Sequence, residues 1–286
     1  MTWNAKYWDI IEQLYWSPRY TGLGSISQKH WVKKDGMVCI PEEMVNATGP
    51  LYSRKRKASD LRNYLHGSEE ILNHLFEITF SIASDAVIQK AFVEPLGFID
   101  TNSFESIGRE CVSRYGWRES ENVTQHDGFF VSDTSAIAIE LKLLTTSWPE
   151  QVAKYAAMFA WEELYRNTKQ NLGLLYIVPE HAKANFWQRS RFEPGSLNRN
   201  WLDRSWDKSL PKPIVKLFET NEDTVRSVLD RMKVHVISWT DLRNSLLDIQ
   251  SALNQQDPGQ QTLYRLLAGF LKQLSDHRDT GITLEK

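Results

Sequence analysis

Apolar positions recur at helical spacing over residues 3–16 and predict a short amphipathic helix. Residues 17–67 keep no sustained period, and with Gly22, Gly24, Gly36, Gly49 and Pro50 scattered through them they are expected to be irregular. Ser68, Glu69 and Glu70 supply the cap and first-turn chemistry that opens a helix, and Ile71, Leu72, Leu75, Phe76, Ile78, Thr79, Ile82 and Val87 keep a broad apolar face to about residue 92. The pattern then shifts. Residues 113–143 read as strands, 149–167 as a helix, and the continuous apolar run at 172–178 as a buried strand. Residues 221–231 read as a helix and 234–238 as a strand, and Trp239-Thr240-Asp241-Leu242 opens a further helix. Helices that alternate with strands in this order predict an α/β fold with a mixed sheet, not a bundle or an all-β barrel.

The strand pattern places specific side chains. Ile137, Ile139, Leu141 and Leu143 alternate with Ala136, Ala138, Glu140 and Lys142, so one face of this strand is apolar and the other carries a carboxylate and an ammonium. If Asp133 and Thr134 form a two-residue hairpin loop, paired residues have numbers that sum to 267, and Asp127 pairs with Glu140. Residues directly opposed in a hairpin project to the same side with Cβ atoms roughly 5 Å apart, and a residue two positions on shares that face. Asp127, Glu140 and Lys142 are therefore expected to converge. Two carboxylates so close repel one another unless a divalent cation lies between them, and carboxylate oxygens suit a hard ion such as Mg²⁺ or Mn²⁺. Lys142 is then placed to help activate an attacking water and to steady charge at a phosphate.

Asp127, a gap, then Glu140-x-Lys142 on a hairpin between two helices resembles the PD-(D/E)XK nuclease superfamily. Gln151-Val152-Ala153-Lys154-Tyr155 in the following helix is similar to the Q-x-x-x-Y signature of the RecB-type branch, and a spacing of four sets Gln151 and Tyr155 on one helix face. His74-Leu75-Phe76-Glu77 is similar to that branch's H-x-x-E element. The resemblance covers about residues 68–180. It implies a restriction-endonuclease-like αβββαβ core, with His74 as a further metal ligand, Glu77 assisting, and Gln151 and Tyr155 contacting the site or DNA. His126 stands where the family usually has Pro, and the cysteines that hold an iron–sulfur cluster in some relatives are missing. Neither departure removes a ligand. Plainer roles exist for the same residues: Glu140 and Lys142 as an exposed pair on an edge strand, His74 as a core histidine, Gln151 and Tyr155 as a helix surface pair.

Composition adds charge segregation. The 286 residues sum to −2, but residues 1–66 carry +4, residues 67–180 carry −9 and residues 181–286 carry +3. An acidic middle that contains every proposed metal ligand, set between basic flanks, fits a metal site whose substrate is a polyanion. Residues 181–216 hold eight basic and three acidic side chains, among them Arg189, Arg191, Arg199 and Arg204, interleaved with Phe186, Trp187, Phe192, Trp201 and Trp206. Such a mixture can neutralise phosphates and stack on bases, or else pack as an aromatic minidomain with a cationic rim.

Only Cys39 and Cys111 occur, without metal-ligand spacing, and no complete GxGxxG, GxxxxGK[ST] or GxSxG motif appears. These absences disfavour zinc-ribbon, Rossmann, P-loop and α/β-hydrolase readings. With no signal-peptide pattern and no long apolar stretch, a cytoplasmic protein without a membrane partner is expected. The expected organisation is an extension over residues 1–67, a nuclease-like domain over 68–250 with the basic aromatic insertion at 181–216, and a C-terminal helix and tail over 251–286. The expected activity is Mg²⁺- or Mn²⁺-dependent hydrolysis of DNA, with a helicase, a methyltransferase or another protein of a defence, repair or transposition system as partner. The alternatives are a nuclease-fold subunit that binds DNA or assembles without cutting, and a sequence-specific restriction endonuclease.

Overall fold

A computed structural model of the chain describes residues 3–7, 32–34, 37–39, 69–108, 126–143, 149–190, 210–277 and 279–282. The chain divides into two units, Met1–Leu72 and Asn73–Lys286. In the first, residues 3–7 are helical, within the stretch expected to be so. Strands β1 (Val32–Lys34) and β2 (Met37–Cys39) pair antiparallel, with Lys34 opposite Met37. This hairpin corrects the expectation of wholly irregular structure over 17–67. Each run is three residues long, too brief for its period to stand out in the sequence.

The second unit contains most of helix α1 (Glu69–Ser81). The single helix expected to reach residue 92 is interrupted instead. Ser84 is extended, its carbonyl accepts the Val87 N–H at 2.9 Å, and a new helix α2 (Asp85–Ile88) begins. Asp85 turns its carboxylate to the Phe104 N–H at 2.8 Å. The helix widens into a π-turn over Gln89–Val93 and tightens into a 3₁₀ turn over Glu94–Leu96, where Pro95 cannot donate a hydrogen bond. Gly97, at φ 68°, ends it.

The sheet follows. Its strands are β3 (Glu105–Ser106), β4 (Gly128–Val131), β5 (Ser135–Leu141), β6 (Asn171–Val178) and β7 (Lys233–Ser238), and they lie in that order across the sheet. Helix α3 (Pro149–Tyr165) links β5 to β6. Helices α4 (Glu180–Lys183), α5 (Phe186–Ser190), α6 (Lys212–Thr220) and α7 (Glu222–Arg231) lie between β6 and β7. Helices α8 (Trp239–Ala252) and α9 (Pro258–Asp276) follow β7. Pairing is antiparallel for β3–β4 and β4–β5 and parallel for β5–β6 and β6–β7, so the protein is α/β with a mixed five-stranded sheet flanked by helices.

The hairpin register is the expected one. Gly128 faces Ile139, Phe129 faces Ala138, Phe130 faces Ile137 and Val131 faces Ala136, and the Ser132 N–H donates to the Ser135 carbonyl at 2.8 Å around the Asp133-Thr134 loop. Strand β5 is central, and all seven of its residues are buried. One sheet face, with Phe129, Ala136, Ala138, Leu174 and Tyr176, packs in a single core with α3, α6 and α7. On the other, Phe130 stacks on Phe92 at 5.3 Å between centroids, and Phe92, Phe76, Phe80 and Phe270 form an aromatic cluster that draws in α1, the π-turn and α9. Ala136 and Ala138 line the face of β5 that shares this core with α3, and Glu140 ends the same face. Among the described residues, no helix is long and apolar enough to cross a membrane.

Candidate active site

Asp127 lies one residue before β4, outside the regular ladder. Its side chain continues the pairing: Oδ2 accepts the Leu141 N–H at 2.7 Å, fixing the carboxylate against the end of β5. Oδ1 accepts from Asn73 Nδ2 of α1 at 2.6 Å. Gly128 is where that helix comes close. A Cβ there would sit 2.9 Å from Phe76 Cε1, so only glycine admits Phe76 against the strand.

Glu140 is almost wholly removed from water, at 4% exposure. Its Oε1 accepts from Lys142 Nζ and from Gln151 Nε2, and its Oε2 accepts from the Tyr155 hydroxyl. Helical spacing of four on α3 delivers Gln151 and Tyr155 together, as the sequence implied. Tyr155 is fully buried. Burial, and then the negative charges of Glu140 and Asp127, push its phenol well above the ordinary tyrosine value, so it remains a donor across the working pH range.

Lys142 is held by its backbone as well. Its N–H donates to the Ile177 carbonyl at 2.9 Å, and its carbonyl accepts the indole N–H of buried Trp239 at 3.0 Å. Trp239 reaches it from the start of α8, whose N-terminus is fastened by a reciprocal Ser238–Asp241 capping box.

Asp127, Glu140, Lys142, Gln151 and Tyr155 thus come together at the end of the β4–β5 hairpin away from its turn. His74 and Glu77 fall differently. Glu77 points toward Gly108, with Oε1 3.0 Å from where a Cβ there would sit. His74 is half-buried on α1, and among the described residues no three His, Cys, Asp or Glu side chains gather in a group able to hold a metal. Asp127 and Glu140, two carboxylates at the same end of the hairpin, are of the oxygen-donor type a hard divalent ion takes and would be the residues to hold one, with water completing its shell.

Sequence reasoning missed Asn73 and Trp239. At about 100° per residue, Asn73 stands at the margin of the buried stripe of Leu75, Phe76, Thr79 and Phe80, whereas His74 lies nearly opposite it. That phase was available as a signal. Trp239 could not be found, because its role depends on how α8 packs on β6 and β7 and so brings the indole to the Lys142 carbonyl.

Of the expected basic contacts, Arg189 lies on α5, and Arg191, Arg199 and Arg204 lie outside the described residues. Phe186 is fully buried and packs on Tyr176 at 5.0 Å between centroids, with Trp187 beside both rings, so these two aromatics serve the core. Comparison of the chain with protein-family models, curated proteins and solved structures finds no match.

Proposed function

We propose that the chain is a metal-dependent deoxyribonuclease of PD-(D/E)XK type with a restriction-endonuclease-like core. The observation that carries this reading is the convergence of Lys142, Gln151 and Tyr155 on Glu140, one position beyond the last strand pair Gly128–Ile139, where the Asp127 carboxylate accepts the neighbouring Leu141 N–H. A bound divalent cation supplies Lewis-acid polarisation of the phosphate and a more acidic water. Asp127 and Glu140 hold it; the Asn73 and Leu141 donors orient one carboxylate, and Gln151 and Tyr155 orient the other. The Lys142 ammonium, tethered to Glu140 and fixed at its backbone, is the group that orients the attacking water and balances charge as it adds in line to phosphorus.

Purified protein should cleave DNA with Mg²⁺ or Mn²⁺ and stop on chelation. Asp127→Ala and Lys142→Ala should each lower the rate by about a hundredfold or more. Full activity in either variant would show that the chemistry lies elsewhere. Discrete fragments instead of general degradation would select a sequence-specific restriction endonuclease. A second reading, a scaffold that binds DNA or assembles without cutting, draws on the depth at which Glu140 is buried among three donors. A gel shift that survives EDTA, with no hydrolysis under any divalent ion, would select it.

A further inference from the structure

Asn73 has a second polar atom that its bond to Asp127 does not use. An ionised carboxylate only accepts hydrogen bonds, so the Asn73 amide must present its NH₂ to Asp127 Oδ1, as it does at 2.6 Å, and turn its carbonyl oxygen elsewhere. That oxygen is buried and has no hydrogen-bond partner. A shielded, unpaired acceptor beside a carboxylate is costly, and what relieves it is a donor or a cation. The amide oxygen lies about 2.3 Å from its own nitrogen, which puts it within about 5 Å of Asp127 Oδ1, so a small turn about the side chain lets both oxygens share one ion. Amide carbonyls are ordinary ligands for hard divalent ions.

We infer that Asn73 Oδ1 is a third ligand of the divalent cation, contributed by α1 alongside Asp127 and Glu140. This rests on the metal-dependent reading of the site. It gives the helix a direct part in binding through Asn73, a residue to which the H-x-x-E resemblance assigns no role.

The test is Mn²⁺ titration of the full chain, with free Mn²⁺ followed by electron paramagnetic resonance and the metal-free folds of all variants compared by thermal unfolding. Wild type should bind, and Asp127→Asn should abolish binding. Asn73→Leu should weaken binding at least about tenfold, and Asn73→Asp, which keeps an oxygen but loses the NH₂, should restore it. Wild-type affinity in Asn73→Leu overturns the inference. So does Asn73→Asp binding as poorly as Asn73→Leu, which would make Asn73 a positioning residue that acts through its N–H on Asp127. Absence of Mn²⁺ binding by wild type, or binding indifferent to Asp127→Asn, overturns the metal-dependent reading itself and the inference with it.

Discussion

Glu140 shows how a carboxyl side chain can be removed from water with both oxygens still hydrogen-bonded. Burying a carboxylate is tolerated only where donors replace its hydration, and a lysine, an amide and a phenol do so here. His126, next to Asp127, is treated in the opposite way. Burial holds its imidazole down to about pKa 4, against the upward pull of a hydrogen bond with the Gly108 backbone, and its ring meets Phe129 edge-on at 5.8 Å. An unfolded histidine takes up its proton near pH 6.5, so between that value and 4 the unfolded chain binds more protons than the folded one. Stability should therefore be full above pH 6.5 and drain away as the pH falls to 4, by roughly 3 kcal/mol at most. Urea unfolding at several pH values checks this: the acid-side slope should shrink in His126→Gln. An unchanged slope would place the acid sensitivity in other residues.

At the scale of elements, the site depends on α1, the hairpin and α3 approaching one another closely, and small residues permit it. Gly128→Ala would push a methyl into Phe76, and overpacking of this kind costs about 1–3 kcal/mol. Calorimetric melting should show that loss, and Phe76→Leu in the same chain should recover part of it; additive destabilisation would mean that the two residues do not meet. The hairpin was legible in the sequence because side chains alternate strictly along a strand and a two-residue loop fixes the register, so one correct turn paired Gly128–Val131 with Ala136–Ile139. The α3 pair was legible for the corresponding helical reason. What could not be read depended on long-range packing. The break at Ser84 interrupts an apolar period that continues across it. The choice of Asn73 over His74 beside Asp127 depends on the rotational phase of α1, set by Phe76 and Phe80 against Phe270. The phenylalanine and tryptophan at 186 and 187 looked as suited to bases as to a core, since composition does not say which side of a helix faces a sheet.

Across the whole unit, the sheet separates two jobs along the hairpin. The site occupies its open end. The turn end is gripped from two directions. Asp100 accepts hydrogen bonds from the hydroxyls of Ser132 at 2.5 Å and Thr134 at 2.9 Å and from the Asn102 N–H at 2.9 Å. Burial alone would raise its pKa, but these bonds and one from Ser135 hold the carboxyl below its ordinary range. Lys169, at 3% exposure, donates to the Ser132 carbonyl at 2.7 Å and lies 3.6 Å from buried Glu162. At the other end the β4–β5 ladder stops at Gly128–Ile139 and a side chain takes over at the Leu141 N–H, so deuterium uptake should be graded along the hairpin. The Ser135 amide should exchange only with deep unfolding, while the Leu141 amide, held by the Asp127 side chain, should report shallow fraying. Asp127→Ala should accelerate exchange at Leu141 alone, and Lys169→Met should accelerate it at the turn. Equal protection along both strands would mean that the hairpin opens as one piece. With graded protection, loss of Asp127 and loss of the anchor become separable in a single exchange experiment, before any substrate is added.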